Sequence, residues 1–250
     1  MTICARLLVV LGTISGTMYG NVIYNAALGT LPQDQGWTYQ GNQGNPSPSV
    51  SGGALHQIKN VLNTAVYWSF SDNLDIAGHI YLQASLQVNS SNEVPNVGTG
   101  TREGYYFVVL DANGTGYTIG LADNGFNINT VEVPNHPLTP YPVAGPAFHT
   151  YAIDINNGLG NFFIDGVLKA GSITPYIPLN VGLRNTVFFG ASAGASISIT
   201  NLANFCETTV GSCSAASTTP EPSTTILFGT AGVILLGTRR IFKRLSVSNP

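Results

Sequence analysis

The sequence predicts an all-β protein, an antiparallel β-sandwich of jelly-roll type, and three observations carry that prediction. Apolar and polar residues alternate in short runs through residues 54–205, the pattern of strands with one buried face. Gly, Asn and Asp interrupt those runs about every 8 to 12 residues, as turns between sandwich strands do. Charged residues make up 8 % of the 250 residues, so the Glu- and Lys-rich solvent faces that long helices need are missing.

In chain order, the first segment is residues 1–20. Arg6 precedes the apolar run Leu7, Leu8, Val9, Val10, Leu11, and small residues follow up to Gly20, which reads as a cleavable signal peptide. The run is too short to span a bilayer, and the polar stretch behind it favours cleavage over anchoring. A β-sandwich domain is expected over residues 21–206.

Its clearest strand is 76–88. Ile76, Ile80, Leu82, Ala84, Leu86 and Val88 point to one side, and His79, Tyr81, Gln83, Ser85 and Gln87 to the other. The first set builds a core, while the second meets water or a ligand, and His79, Tyr81 and Gln83 form the candidate ligand face. Further strands are predicted at 64–70, 105–110, 115–121, 126–133, 148–155, 161–164, 167–170, 186–189 and 195–202. Asp165-Gly166 is a two-residue hairpin signal, because a type I′ turn requires positive φ at both central positions. Asn113-Gly114, Asn124-Gly125 and Asn157-Gly158 are read the same way. Trp37 and Trp68 are expected to anchor the core.

Between residues 21 and 219 only Lys59, Arg102, Lys169 and Arg184 face eleven carboxylates, a net charge of −7. Such a domain repels polyphosphate, so nucleic acid is excluded as a partner. Of the three cysteines, Cys4 leaves with the signal peptide. Cys206 and Cys213 remain, and export to an oxidising compartment predicts a disulfide between them.

Beyond a Ser/Thr-rich linker at 207–219, too polar to fold alone, come Pro220, Glu221 and Pro222. Then follow the apolar run ILFGTAGVILL and the cations Arg239, Arg240, Lys243 and Arg244. The prolines keep Glu221 extended. A transmembrane helix is expected at about 224–242, its short apolar core extended by snorkelling arginines. The basic tail holds the cytoplasmic side.

This order of tripeptide, helix and basic tail over 220–245 resembles the PEP-CTERM sorting signal. The resemblance implies processing by an exosortase-type enzyme, transient residence in the inner membrane, and delivery to the cell surface or beyond. A second resemblance rests on HTYAIDINNGLGNFFIDGVL, residues 149–168, where Phe162, Ile164, Asp165 and Gly166 match a hairpin of laminin-G/concanavalin A-like jelly rolls. That family includes sugar-binding lectins, adhesive modules and glycosidases, so it does not choose a function.

Catalytic patterns are missing. Retaining glycosidases need two carboxylates about 5.5 Å apart, and no strand carries the alternating acids that would place them. His56, His79, His136 and His149 are scattered and no Gly-x-Ser-x-Gly elbow occurs. No cofactor is expected, although Asp72, Asn73 and Asp75, or Asp123 and Asn124, are open as calcium ligands beside their turn-forming reading. The expected function is that of a non-enzymatic surface or matrix protein associating with polysaccharide. A structural component without a discrete ligand, and a divergent glycoside hydrolase using Glu93 or Glu103, stand as alternatives.

Overall fold

The computed structural model describes residues 21–41, 43–91, 94–96, 100–102, 104–129, 138–177, 184–191, 197–209 and 213. The signal peptide and the sorting segment, with Pro220, Glu221, Pro222 and the basic tail, lie outside the described residues, as do His136, Glu93 and Glu103.

Among the described residues the strands are, in chain order, β1 (Asn21–Asn25), β2 (Thr38–Gln40), β3 (Ser49–Ser51), β4 (Ala54–Lys59), β5 (Val66–Ser71), β6 (His79–Ser91), β7 (Val94–Asn96), β8 (Gly100–Arg102), β9 (Tyr105–Leu110), β10 (Gly116–Ala122), β11 (Gly125–Ile128), β12 (Thr139–Pro140), β13 (His149–Asn156), β14 (Leu159–Ile164), β15 (Val167–Ile173), β16 (Thr186–Ala191) and β17 (Ser198–Thr208). They form two antiparallel sheets and a small β7–β8 ribbon. The first sheet runs β15-β14-β13-β6-β17-β4-β3, with β1 also on β17, and the second runs β12-β11-β10-β9-β16-β5-β2.

Alternation explains how the sheets close on each other. Along β6 every second residue from Ile80 to Val88 is buried while His79, Tyr81, Gln83, Ser85 and Gln87 stay half-exposed, because successive strand side chains point to opposite faces. The buried set meets Phe107, Val109, Tyr117, Ile119 and Phe189 of the second sheet in one core. Both tryptophans belong to it. Trp37 is 3 % exposed and Trp68 fully buried, and their indole N–H groups donate to the Ile23 carbonyl (2.8 Å) and to Gln33 Oε1 (2.9 Å), as buried polar groups must.

Hairpin chemistry sets the register of β13, β14 and β15. Asn157-Gly158 (φ 51° and 72°) and Asp165-Gly166 (φ 52° and 74°) are two-residue turns with both φ values positive. Two other turns differ from expectation. Gly125 is already paired to Ala122, so Asp123-Asn124 makes that turn. Asp111 accepts the amides of Asn113 and Thr115 at 2.8 and 2.9 Å, so Asn113-Gly114 sits in a wider loop built by a side-chain acceptor.

Strand ends shift for local reasons. The strand expected from Ile76 begins at His79, because the Asp75 carboxylate accepts the Ala77 amide (3.0 Å) and its carbonyl the Gly78 amide (3.0 Å), forming a turn over 75–78. The strand expected at 126–133 is described only as Gly125–Ile128. The one expected at 195–202 runs from Ser198 to Thr208. Its first half pairs with β4 and its second with β1, and register shifts at Ala203 where the neighbours change.

Past β17, a disulfide joins Cys206 to Cys213, whose Cα atoms are 6.0 Å apart. Closing so small a loop contributes about 2.5 kcal/mol in the chain-entropy account. It fastens the chain at the point where it leaves the domain.

Candidate functional site

The outward residues of β6 lie on the open face of the first sheet. Register places Asp154 of β13 opposite Tyr81, Asn156 opposite His79, and Ala152 opposite Gln83. One strand further out, Phe163 of β14 pairs with Ala152 and Asn161 with Asp154. Phe162 and Ile164 are buried in the core, so Phe163 between them projects outward, half-exposed. Neighbouring strands are spaced by about 4.8 Å, and this face therefore presents two aromatic rings, Tyr81 and Phe163, with a carboxylate and amides around them.

The polar groups hold one another in place. His79 donates from Nε2 to Asp154 Oδ1 at 2.7 Å, and Tyr81 donates its hydroxyl to Gln83 Oε1 at 3.3 Å. Burial, and then the charge of Asp154, push the Tyr81 phenol above its ordinary range, so it stays a neutral donor at physiological pH. Further along the sheet, His56 Nδ1 donates to Asn201 Oδ1 (2.7 Å) and Asn201 Nδ2 to Gln87 Oε1 (2.7 Å). Ser51 Oγ sits 2.8 Å from His56 Nε2. These pre-set donors and acceptors span β3, β4, β17 and β6.

The structure thus brings His79, Tyr81 and Gln83 to one face. Asp154 and Phe163, which reasoning from sequence passed over, stand beside them. Alternation through 161–164 was the signal for Phe163. Asp154 required knowledge that β13 pairs with β6, which no local pattern encodes.

The residues considered for other chemistry have structural employment. Asp75 makes the turn described above, and Asp123 accepts the Ser91 amide and donates its own to the Ser91 carbonyl at 2.8 Å. Asp72 interacts with Glu207. His149 contacts Asp165 Oδ2 at 2.6 Å, while the Thr150 amide donates to Asp165 Oδ1 at 2.8 Å. Burial opposes ionisation of Asp165, but these two hydrogen bonds, together with the charges of His149 and Lys169, outweigh it and hold the carboxyl below its usual range. Among the described residues no group of three or more His, Cys, Asp or Glu could hold a metal ion, and no helix is long and apolar enough to cross a membrane.

No family model matches the chain, and no curated protein sequence matches it. Solved structures do resemble it. A sialidase superposes with a TM-score of 0.53 at 11 % identity over 76 % of this chain and 18 % of its own. The metal-free Emp46p carbohydrate recognition domain superposes with a TM-score of 0.50 at 11 % identity, over 78 % of this chain and 100 % of its own. This chain therefore spans 18 % of the sialidase's length. At such identities the likeness establishes the fold: an antiparallel β-sandwich that fits the concanavalin A-like jelly roll anticipated from the 149–168 hairpin.

Proposed function

We propose that this is an exported surface or matrix protein whose sandwich associates with extracellular polysaccharide through the outer face around Tyr81. The observation that carries the reading is the set of Tyr81, Gln83, Asp154 and Phe163 on one open face, with the polar members already hydrogen-bonded in place. Aromatic rings pack on the C–H faces of pyranoses, while carboxylates and amides bond to their hydroxyls. The resemblance to a carbohydrate recognition domain supports the same direction, and no catalytic role is proposed.

Binding by the full chain, purified in detergent, would be measured against amylose, cellulose, a β-1,3-glucan, galactomannan and alginate. Tyr81→Ala is expected to weaken binding about tenfold, equivalent to about 1.4 kcal/mol. Binding that survives this change undiminished would move the site off this face. No binding to any polymer would favour a structural component without a discrete ligand.

The sorting half of the reading rests on Pro220, Glu221 and Pro222 followed by the apolar run and by Arg239, Arg240, Lys243 and Arg244. An exosortase-type enzyme is the proposed processing partner, with the inner membrane as a transient station. Combined Pro220→Ala, Glu221→Ala and Pro222→Ala replacement should leave full-length precursor in the inner membrane of the native host. Immunoblotting of fractionated cells reads this directly, and unchanged processing would defeat it.

A further inference from the structure

The sandwich has a second outer face, and its open part is aromatic. Tyr67 of β5 and Phe188 of β16 stand half-exposed there, with ring centroids 5.6 Å apart and planes at 48°. Neither belongs to the core, which these strands serve through Val66, Trp68, Val187 and Phe189 on the opposite side.

Register creates the pair. Gly190 lies opposite Tyr67 on one side and Tyr106 on the other, and Phe188 lies opposite Ser69. At Gly190 φ is 149°. A Cβ there would lie 2.5 Å from Tyr67 Cα and 2.6 Å from Tyr67 Cβ, besides striking the Val66 carbonyl oxygen. Only glycine fits, so the position between the two tyrosines stays empty.

Where this face is covered, it is closed tightly: Val108 and Thr118 are 2 % and 4 % exposed. Tyr176 bonds through its backbone to Gly116 and through its hydroxyl to Thr118 Oγ1 at 2.7 Å. The rings of Tyr67 and Phe188 are outside that cover, beside exposed Thr38 and Gln40 and half-exposed Ser69. Two half-exposed aromatic rings clustered on one patch point to a contact surface.

Chemistry selects the occupant. No charged side chain projects from β2, β5, β16, β9 or β10 onto this face. The domain as a whole carries −7 between residues 21 and 219, which disfavours anionic polymers. A neutral sugar offers C–H faces to the rings and hydroxyls to Ser69, Thr38 and Gln40.

We infer that Tyr67 and Phe188 form a second subsite for a neutral hexose polymer, and that one chain therefore bridges two polysaccharide strands, one on each outer face. This rests on the polysaccharide reading of the Tyr81 face. Two sheets packed about 10 Å apart keep the two sites on opposite sides of one rigid core, so two strands can be held without contact between them.

The test is a bridging assay with the full chain in detergent, one chain per micelle by light scattering. Beads coated with each polymer named above, alginate included, are mixed with protein and with the same polymer carrying a fluorophore, and captured fluorescence is read. The native chain is expected to capture it. Tyr67→Ala with Phe188→Ala should still bind the beads through the Tyr81 face yet capture less than a tenth of the fluorescent polymer. Ser69→Arg, which keeps both rings and the core, should do the same. Undiminished bridging by these variants would overturn the second subsite and leave the first standing, whereas failure of the native chain to bind any bead would overturn the polysaccharide reading itself and this inference with it. Stronger bridging of alginate than of the neutral polymers would overturn the choice of ligand.

Discussion

Replacing Trp37 with alanine is expected to remove about 4 kcal/mol of stability, the middle of the range for deleting a buried aromatic. The reason lies in what the indole joins. Its ring is 4.7 Å from that of Phe189 and 5.2 Å from Phe70, both in the second sheet, and 5.8 Å from Phe205 in the first. Its N–H also satisfies the Ile23 carbonyl on β1. Alanine would leave a cavity between the sheets and an acceptor without its donor, and neighbours this constrained relax only partly.

Against a total of about 5–15 kcal/mol for a domain, the loss is severe. Thermal midpoint should fall by about 10 °C, given roughly 2–4 °C per kcal/mol at this size. Trp37→Phe, which keeps the ring packing and loses the hydrogen bond, should cost less than half as much. Urea denaturation of the full chain measures both, and a change under 1 kcal/mol for Trp37→Ala would mean that the indole does not tie the sheets.

That both tryptophans anchor the core was legible from sequence, as was the inward and outward division of β6. A period of two sustained from His79 to Val88 leaves little choice of face. The hairpins at Asn157-Gly158 and Asp165-Gly166 were legible because only a few residue pairs tolerate two positive φ values. Strands β1 to β4 were not. Thr38–Gln40 and Ser49–Ser51 are three residues each and owe their extended form to β5 and β4, with which they pair, more than to their own composition.

The candidate site divides the same way. His79, Tyr81 and Gln83 could be found because they share one strand, whereas Asp154 joins them across a β13–β6 pairing, 75 residues along the chain from His79. The Tyr67–Phe188 pair was hidden for a further reason. Both residues sit in mixed runs where aromatics fill inward and outward positions alike: YWSF has Trp68 buried and Tyr67 half-exposed, and VFFG has Phe189 buried and Phe188 half-exposed. Ser69 alone marks the outward phase in the first run and no polar residue marks it in the second, so for Phe188 only the sheet itself decides which ring faces solvent.

Glu207 should make the domain less stable as pH rises. It lies on β17 next to the disulfide, and Asp72 approaches it from the segment after β5. Burial foremost, then the hydrogen bond and charge of Asp72, raise its carboxyl from an ordinary 4.5 to about 8. Below pH 4.5 the group is protonated in both folded and unfolded chains and exacts nothing. Between 4.5 and 8 the unfolded chain releases the proton that the folded chain keeps, so stability declines across that window and levels off above it.

Such a shift has an upper bound of about 5 kcal/mol. The group is not sealed from water, and screening reduces the expected cost to about 2 kcal/mol. Glu207→Gln keeps the shape, can donate to Asp72, and never ionises. It should match the native chain at pH 4 and exceed it by about 2 kcal/mol at pH 8.5 in urea denaturation. A stability difference that is the same at both pH values would show that the carboxyl titrates normally. Because Asp72 follows β5 in the second sheet and Glu207 belongs to the first, the shared proton is a contact between sheets: Asp72→Asn should lower the Glu207 carboxyl toward its usual range and flatten the same pH profile, which a merely local defect at β17 would not do.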